Sequence, residues 1–398
     1  MLRMEDATGP LAGLLVADFS RVLAGPYATM LLADLGAEVI KVEGPRGDDT
    51  RGWQPPTHDG VATYYLSVNR NKRSVILDFN EPADAALARE LARRADIVVE
   101  NFRPGSLSRW KLDYESIKTT NPGLIYASIS GFGSTEKGAA LPGYDLLVQA
   151  ASGLMSVTGQ PDGPPTKAGV AVVDVTAGLH TVIGVLAALH HRQQTGHGQH
   201  VEVNLLSSAL SGLVNQASAY VAGGVVPHRM GNAHPSLCPY EPLPCADGEV
   251  IIAVGNDGQF RRLTDVLDAP ELADDPRFAR NADRVVNRAA LRPLLEAALR
   301  PFDRHELVSR LTAAGVPCGP INSVADGITY AQELGLEPVV EIPASGIASD
   351  PTATHADRVV RGIRHPIMLS ETPPSHRLPP PGLGEQDAEI RSWLAAPS

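Results

Sequence analysis

The chain has 398 residues, 43% hydrophobic and 20% charged, with 34 basic against 45 acidic side chains and a net charge of −11. That length accommodates two domains with separate cores, and the acidic balance excludes a general nucleic-acid or anionic-membrane surface, which needs a basic footprint. No run approaches ~18 unbroken apolar residues, and the start, MLRMEDATGP, lacks the apolar stretch of a secretory leader, so a soluble cytoplasmic protein is expected.

In chain order, LLVADF at 14–19 reads as a strand and GPYATMLLADLGA at 25–37 as a helix, with Pro26 in its first turn and Gly36 at its end. EVIKVE, RSVILDF, DIVVENF and LIYASIS read as further strands, and EPADAALARELARRA at 81–95 as the helix between two of them. The alternation predicts an α/β fold: a Rossmann-like, doubly wound parallel sheet. SRVLAGP follows the first strand instead of GxGxxG, which disfavours a nicotinamide or flavin dinucleotide. Neither GxSxG nor GxxxxGK[ST] occurs, arguing against an α/β-hydrolase and a P-loop.

The stretch GVAVVDVTAGLHTVIGVLAALHH at 169–191 interrupts an apolar run with one carboxylate, Asp174. AVV reads as a buried strand, and Leu179, Val182, Ile183 and Leu186 have the spacing of a helix face packed on a core, with the helix running to about His191. Asp174 then sits at a strand-to-helix junction, as an N-cap or, with Thr176 capping, as a group at the ligand-binding end of the sheet. HVEVNLL at 200–206 reads as another strand. Texture changes near residue 222, where Gly, Pro and His accumulate. EVIIAVGNDGQF starts a new strand and helix, and helical patterns follow at 284–300 and 303–315. We expect a large α/β domain over 1–220, a smaller α+β domain over 225–330, and a Pro-rich segment, 331–398, that returns to the first domain and includes the strand-like RVVRGI.

Basic loops follow several strands: RGDDTR at 46–51, NRNKRS at 69–74, and NFRPGSLSR at 101–109 with Asn101, Arg103 and Arg109. Arg forks and Lys point charges suit phosphates, so a polyanionic small molecule is weighed against a solvated face. SGFG at 130–133 offers backbone N–H groups, though a plain turn is the simpler reading, and Asp145 reads as the cap of the helix after it. Cys238, Cys245 and Cys318 are too few and odd in number for a disulfide framework. His234 with two of them lacks a fourth ligand, so no metal is expected.

DFSRVLAGPYATMLLADLGAEVIKVEGPRGDDTR, YYLSVNRNKRSVILD, VENFRPG, PGYD, VVD at 172–174, RMGNAHPSLCPYE, AVGNDGQF and GVPCGPIN occur in order. Together they resemble the family III CoA-transferases, which also contain carnitine CoA-transferases and α-methylacyl-CoA racemases. The resemblance spans about residues 10–390. It implies an interlocked homodimer of two-domain subunits and an acyl-CoA substrate that carries coenzyme A, with a small carboxylic acid as acceptor and no ATP or metal. It also implies that Asp174 is the nucleophile, ionised at neutral pH as an ordinary carboxylate is. It would form an acyl-aspartyl anhydride and then an aspartyl-CoA thioester. Leu23 and Ala24 match backbone contacts to CoA, Leu77 lies by the adenine, and Asn101, Phe102 and Arg109 match further contacts; Arg103 and Tyr144 join this set. A family basic position is Gly44 here, with Arg46 as the substitute, and a lysine position is Asn80.

Gly231, Asn232, His234 and Ser236 fall in the loop that closes over the family's active site. Formyl-CoA transferases carry glycines there, so formyl/oxalyl exchange is disfavoured. Racemases carry a His where this chain has Tyr144, whose ordinary pKa of ~10 does not suit proton exchange near neutrality. NLLSSALSGL, GNAHPSLCPYE and AVGNDGQF are most similar to the branch using succinyl-CoA with dicarboxylic acids such as glutarate. Arg229 is the candidate cation for the distal carboxylate. Carnitine ranks lower, because a quaternary ammonium calls for an aromatic cluster.

Overall fold

The computed structural model describes residues 8–343 and 359–397. They divide into two compact units: the described parts of Met1–Leu154, Ala168–Gly223 and Leu336–Ser398 form the first, and Met155–Lys167 with Gly224–Gly335 the second.

The first unit holds six parallel strands: β1 Leu15–Asp18, β2 Glu38–Glu43, β3 Lys72–Ile76, β4 Ile97–Glu100, β5 Ile125–Ser130 and β6 His200–Asn204. Their spatial order is β3-β2-β1-β4-β5-β6. Register is set by Leu15 opposite Glu38, Val39 opposite Lys72, Val16 opposite Ile97, Ile97 opposite Ile125 and Tyr126 opposite His200. This is the strand order of a doubly wound dinucleotide-type sheet. The order reverses between β1 and β4, so their carboxyl ends open a crevice where such folds bind ligands.

Helices cover both faces, which is why the strands read as continuous apolar runs. On one face α1 (Ala24–Asp34) packs through Ala28 and Leu32; on the other, α2 (Pro82–Arg94) packs through Ala88 and Leu91, beside Ile390 and Leu394 of the helix Asp387–Ala395. Two further helices frame the crevice, α3 (Asp145–Ala151) and α4 (Val172–Thr195). Truncating a buried side chain such as Leu32 to Ala costs about 2–5 kcal/mol.

α4 departs from the sequence reading. Val172 and Val173 belong to its first turn and not to a strand, and the helix runs past His191 to Thr195, stopped by Gly196 in the left-handed region at φ 78°. Val182 is buried, but Leu179, Ile183 and Leu186 are 41%, 63% and 39% exposed instead of packed on the core. By composition α4 could cross a bilayer. Its other face, through Val173, Ala177, Val185 and Ala188, lies in the sheet's own core.

The second unit has an antiparallel sheet of Tyr240–Cys245, Gly248–Ala253 and Cys318–Pro320, with helices including Asp257–Val266, Arg288–Leu299 and Arg304–Ala313. Phe260, Leu291, Leu295, Leu307 and Leu311 form its core. Met155–Lys167 belongs here, though the sequence placed it in the first domain. The cause is local: Gly231 N–H donates to Gly159 O at 3.0 Å, and Arg229 Nε donates to Gln160 O at 3.3 Å. The second unit also continues to Gly335, beyond the expected 330. The strand in RVVRGI is Val359–Ile363; its Arg358 lies outside the described residues.

Candidate active site

The crevice is built from the loop after β1. The side-chain amide of Asn101, just past β4, accepts from Arg21 N–H at 2.8 Å and donates to Arg21 O at 2.7 Å, fixing the loop's peptide in both directions. Val22 holds φ 69°, costly for a β-branched residue, and its N–H donates to both oxygens of Asp48 at 3.3 Å. Leu23 then caps α1 without any side-chain cap, leaving the helix's first N–H groups for whatever enters. Gly178 lets α4 approach the start of α1, since a Cβ there would lie 2.8 Å from Ala24 O.

Asp174 is the third residue of α4. Neither it nor Thr176 caps the helix; Thr176 Oγ1 donates to Val172 O at 2.7 Å inside it. The cap comes from another element. Asp145 Oδ1 accepts from the N–H groups of Val173 at 2.9 Å and Asp174 at 3.3 Å. Asp145 Oδ2 accepts from Gln149 Nε2 at 2.6 Å, and the fully buried Gln149 accepts from Ala168 N–H at 2.9 Å. Asp145 is therefore not a cap of its own helix, as the sequence suggested; Tyr144 holds that position.

The carboxyl group of Asp174 is half-buried, and among the described residues no cation pairs with it. Burial, and then the charge of Asp145, push its pKa up to about 7. The expectation of an ordinary carboxylate is thus corrected: the group is a weaker acid and a stronger base. Tyr64 stands near enough that, after burial, the field of Asp174 helps push its phenol up to about 12.

Asp174 opens on a cavity of about 540 Å³ whose wall also includes Leu23, Ala24, Asn101, Phe102 and Arg103. Tyr144, 65% exposed, stands at its lip. Arg46, Leu77 and Arg109 line a second cavity of about 240 Å³, and Arg21, Asp49 and Phe102 belong to both walls. The sequence-predicted residues of the first unit therefore gather in two adjoining cavities with shared walls, with roles that differ in places. The amide of Asn101 is engaged by Arg21. Arg103 donates to Ala139 O at 3.0 Å and Ala140 O at 3.2 Å, tying down the opposite loop. Gly133 N–H of SGFG donates to Ser130 Oγ at 3.0 Å, and so is not free for an oxyanion. Gly231, Asn232, His234 and Ser236 lie in the second unit; Gly231, Asn232 and Arg229 line a cavity there of about 740 Å³.

The basic run at 69–74 is not an anion site. Arg70 pairs with buried Asp34 at 2.6 Å, Lys72 with buried Asp18 at 3.0 Å, and Arg73 with Glu38 at 3.5 Å. Arg51 pairs with Glu43 at 2.6 Å. Arg46 and Arg109 are exposed and have no carboxylate partner among the described residues; Arg109 stacks over Trp110 at 3.6 Å. Sequence reasoning missed Arg21, Tyr64 and Gln149. Arg21 alone carried a signal, as a cation directly after the first strand.

Comparison with known proteins identifies the family. Residues 11–387 match the model of CoA-transferase family III. The chain is 45% identical over 401 residues to the succinate–glutarate CoA-transferase of Agrobacterium fabrum, covering 99% of this chain and 98% of that one. It is 40% identical over 392 residues to the acetyl-CoA:oxalate CoA-transferase of Acetobacter aceti, covering 98% and 97%. A solved CAIB/BAIF family protein from Brucella suis superimposes with a TM-score of 0.84 at 45% identity, covering 97% of this chain and 100% of that one. The chain belongs to CoA-transferase family III. It is an acyl-CoA:carboxylate CoA-transferase, and its substrates are CoA thioesters and carboxylic acids.

Proposed function

We propose that this enzyme moves CoA from succinyl-CoA to a second dicarboxylic acid, glutarate or a close homologue, through an aspartyl-CoA thioester on Asp174. The observation that carries the reading is Asp174 itself: a half-buried carboxylate at the crevice, without a cation and raised to about 7. Structural carboxylates are paired; one held this way is suited to attack.

Asp174 attacks the thioester carbonyl, forming a C–O bond as the C–S bond breaks and CoA leaves as thiolate. The thiolate returns to the Asp174 carbonyl and releases the donor acid. The acceptor carboxylate then reverses both steps. Holding the reactants together supplies about 7–11 kcal/mol of the barrier. Leu23 and Ala24, at the uncapped start of α1, would place N–H groups and the positive end of the helix dipole beside the pantetheine end. Arg46 and Arg109, with Arg21 between the cavities, would take the CoA phosphates. Arg229, the sequence's candidate cation for the distal carboxylate of the acid, belongs to the second unit, where it donates to Gln160 O.

A racemase needs an acid and a base on opposite faces of the α-carbon. Here the wall of the Asp174 cavity carries a phenol, Tyr144, where racemases carry His, so transfer is favoured. The apolar face of α4 formed by Leu179, Ile183 and Leu186 supports a homodimer, since monomers rarely leave such a face open. Ile183→Glu is expected to shift the sedimenting species from dimer to monomer.

The substrate test is a panel of labelled acids with succinyl-CoA. The chain's likeness to the succinate–glutarate enzyme predicts turnover with glutarate; its likeness to the acetyl-CoA:oxalate enzyme makes oxalate the competing acceptor. If no dicarboxylate exceeds hydrolysis, the proposed substrate class is wrong. α-Deuterium exchange without label transfer would restore the racemase.

A further inference from the structure

One pair of contacts at the start of α4 goes beyond holding the fold together. Asp145 lies on α3, 29 residues before Asp174, yet its Oδ1 takes the N–H groups of Val173 and of Asp174 itself. The side chain that orients this turn is therefore an acid set beside another acid. A neutral Ser, Thr or Asn would cap the turn as well, and like charges at close range oppose each other. The local bonding makes the arrangement rigid. Gln149 Nε2 donates to Asp145 Oδ2 at 2.6 Å and to Val170 O at 3.4 Å, while its Oε1 takes Ala168 N–H. One buried amide thus ties Asp145 to the segment leading into α4.

We infer that Asp145 is a positioning residue for the transfer: it fixes the first turn of α4 and sets a second negative charge against Asp174, a repulsion relieved when Asp174 is acylated. The inference rests on reading Asp174 as the nucleophile. In that step Asp174 shares an electron pair with the thioester carbon, the C–S pair leaves with sulfur, and no proton moves. Negative charge departs from Asp174 to the thiolate. Asp145 raises the free energy of the carboxylate before attack more than that of the neutral anhydride after it, which speeds the step without adding a contact to the substrate. Among the described residues, the other charged or titratable groups on the wall of this cavity are Arg21, Asp49, Arg103 and Tyr144, and Tyr64 feels the charge of Asp174.

The test is Asp145→Asn, with Asp145→Asn/Gln149→Glu as a second variant. In the pair, the introduced amide oxygen still accepts from α4, the introduced carboxylate still accepts from Ala168, and the charge moves one side chain farther from Asp174. Thiolate release from succinyl-CoA is followed in a single turnover from pH 5 to 9. In each variant that melts cooperatively, the acid limb should move down by roughly one pH unit. The plateau rate should fall about tenfold to a hundredfold, with KM for succinyl-CoA changed less than about twofold. A rate loss with the limb unmoved in the folded pair would reduce Asp145 to a structural cap and overturn the inference. An Asp174→Asn enzyme that stays active would instead overturn the nucleophile assignment.

Discussion

Asp18 at the end of β1 and Asp174 in the first turn of α4 are both withdrawn from water, and their surroundings are opposite. Burial alone would raise Asp18, but Lys72 and Lys41 hold it below the usual carboxylate range. It also accepts from Ser20 Oγ and from Thr29 Oγ1 at 2.6 Å. Lys72 completes its shell with Pro26 O at 2.9 Å and Asn69 Oδ1 at 3.0 Å, while burial pushes it down to about 8. Asp174 has another carboxylate as its charged neighbour, and burial and that neighbour move it the other way. The difference separates two uses of one side chain. Satisfied charge at the sheet's end holds the loops in place; unsatisfied charge beside it is available for chemistry.

The largest test of the contrast is Asp174→Asn, which should lower transfer by roughly 10⁴-fold or more, as loss of a nucleophile does. Unlike most active-site changes, it should also stabilise the fold at pH 8. In the native enzyme Asp174 stays protonated until about pH 7 while its unfolded counterpart ionises near 3.8. Stability therefore falls as pH rises between those values, and about 4 kcal/mol is lost in full above 7. The Asp174→Asn substitution removes that slope, which urea melts at pH 4 and pH 8 would reveal.

Lys72→Met should do the reverse: little direct effect on chemistry, but about 3–5 kcal/mol lost from the fold, because buried Asp18 loses its ion-pair partner and keeps only Lys41's field and two hydroxyl donors. Adding Asp18→Asn should recover most of it. Equal stability of Lys72→Met and wild type would erase the distinction drawn here.

A smaller effect follows from pH. Thiolate release should fall about tenfold per unit below pH 7 as Asp174 protonates, and a flat profile down to pH 5 would show an ordinary carboxylate. Smallest are Arg46→Ala and Arg109→Ala, each expected to raise KM for acyl-CoA roughly three- to tenfold with kcat unchanged, the pattern of lost ground-state binding.

The sheet was legible in the sequence because its strands are buried on both faces and its helices carry helical spacing. Up to residue 206 the expected strands of the first unit formed, save AVV at 171–173, whose short apolar run could not be told from the start of a buried helix. Asn101, Arg103 and Arg109 stood out in the sequence as polar residues just after a strand, whereas Leu23 and Phe102 entered only through the family resemblance; the strand order brings all five to one end of the sheet. Charge pairing was not legible, since Arg70 meets Asp34 and Lys72 meets Asp18 across 36 and 54 residues. Asp145 was misread for the same reason: the N–H groups that it caps are 28 and 29 residues away. Leu179, Ile183 and Leu186 show that helical spacing of apolar residues does not by itself fix which side of a helix its own chain buries.

The central claim is most directly tested by mass. The enzyme is incubated with succinyl-CoA and no acceptor, quenched with hydroxylamine or borohydride, and digested. The account predicts that the peptide carrying residue 174 bears the hydroxamate or the reduced alcohol at Asp174, and that Asp174→Asn yields none. An unmodified Asp174 peptide from an enzyme that turns over would contradict it.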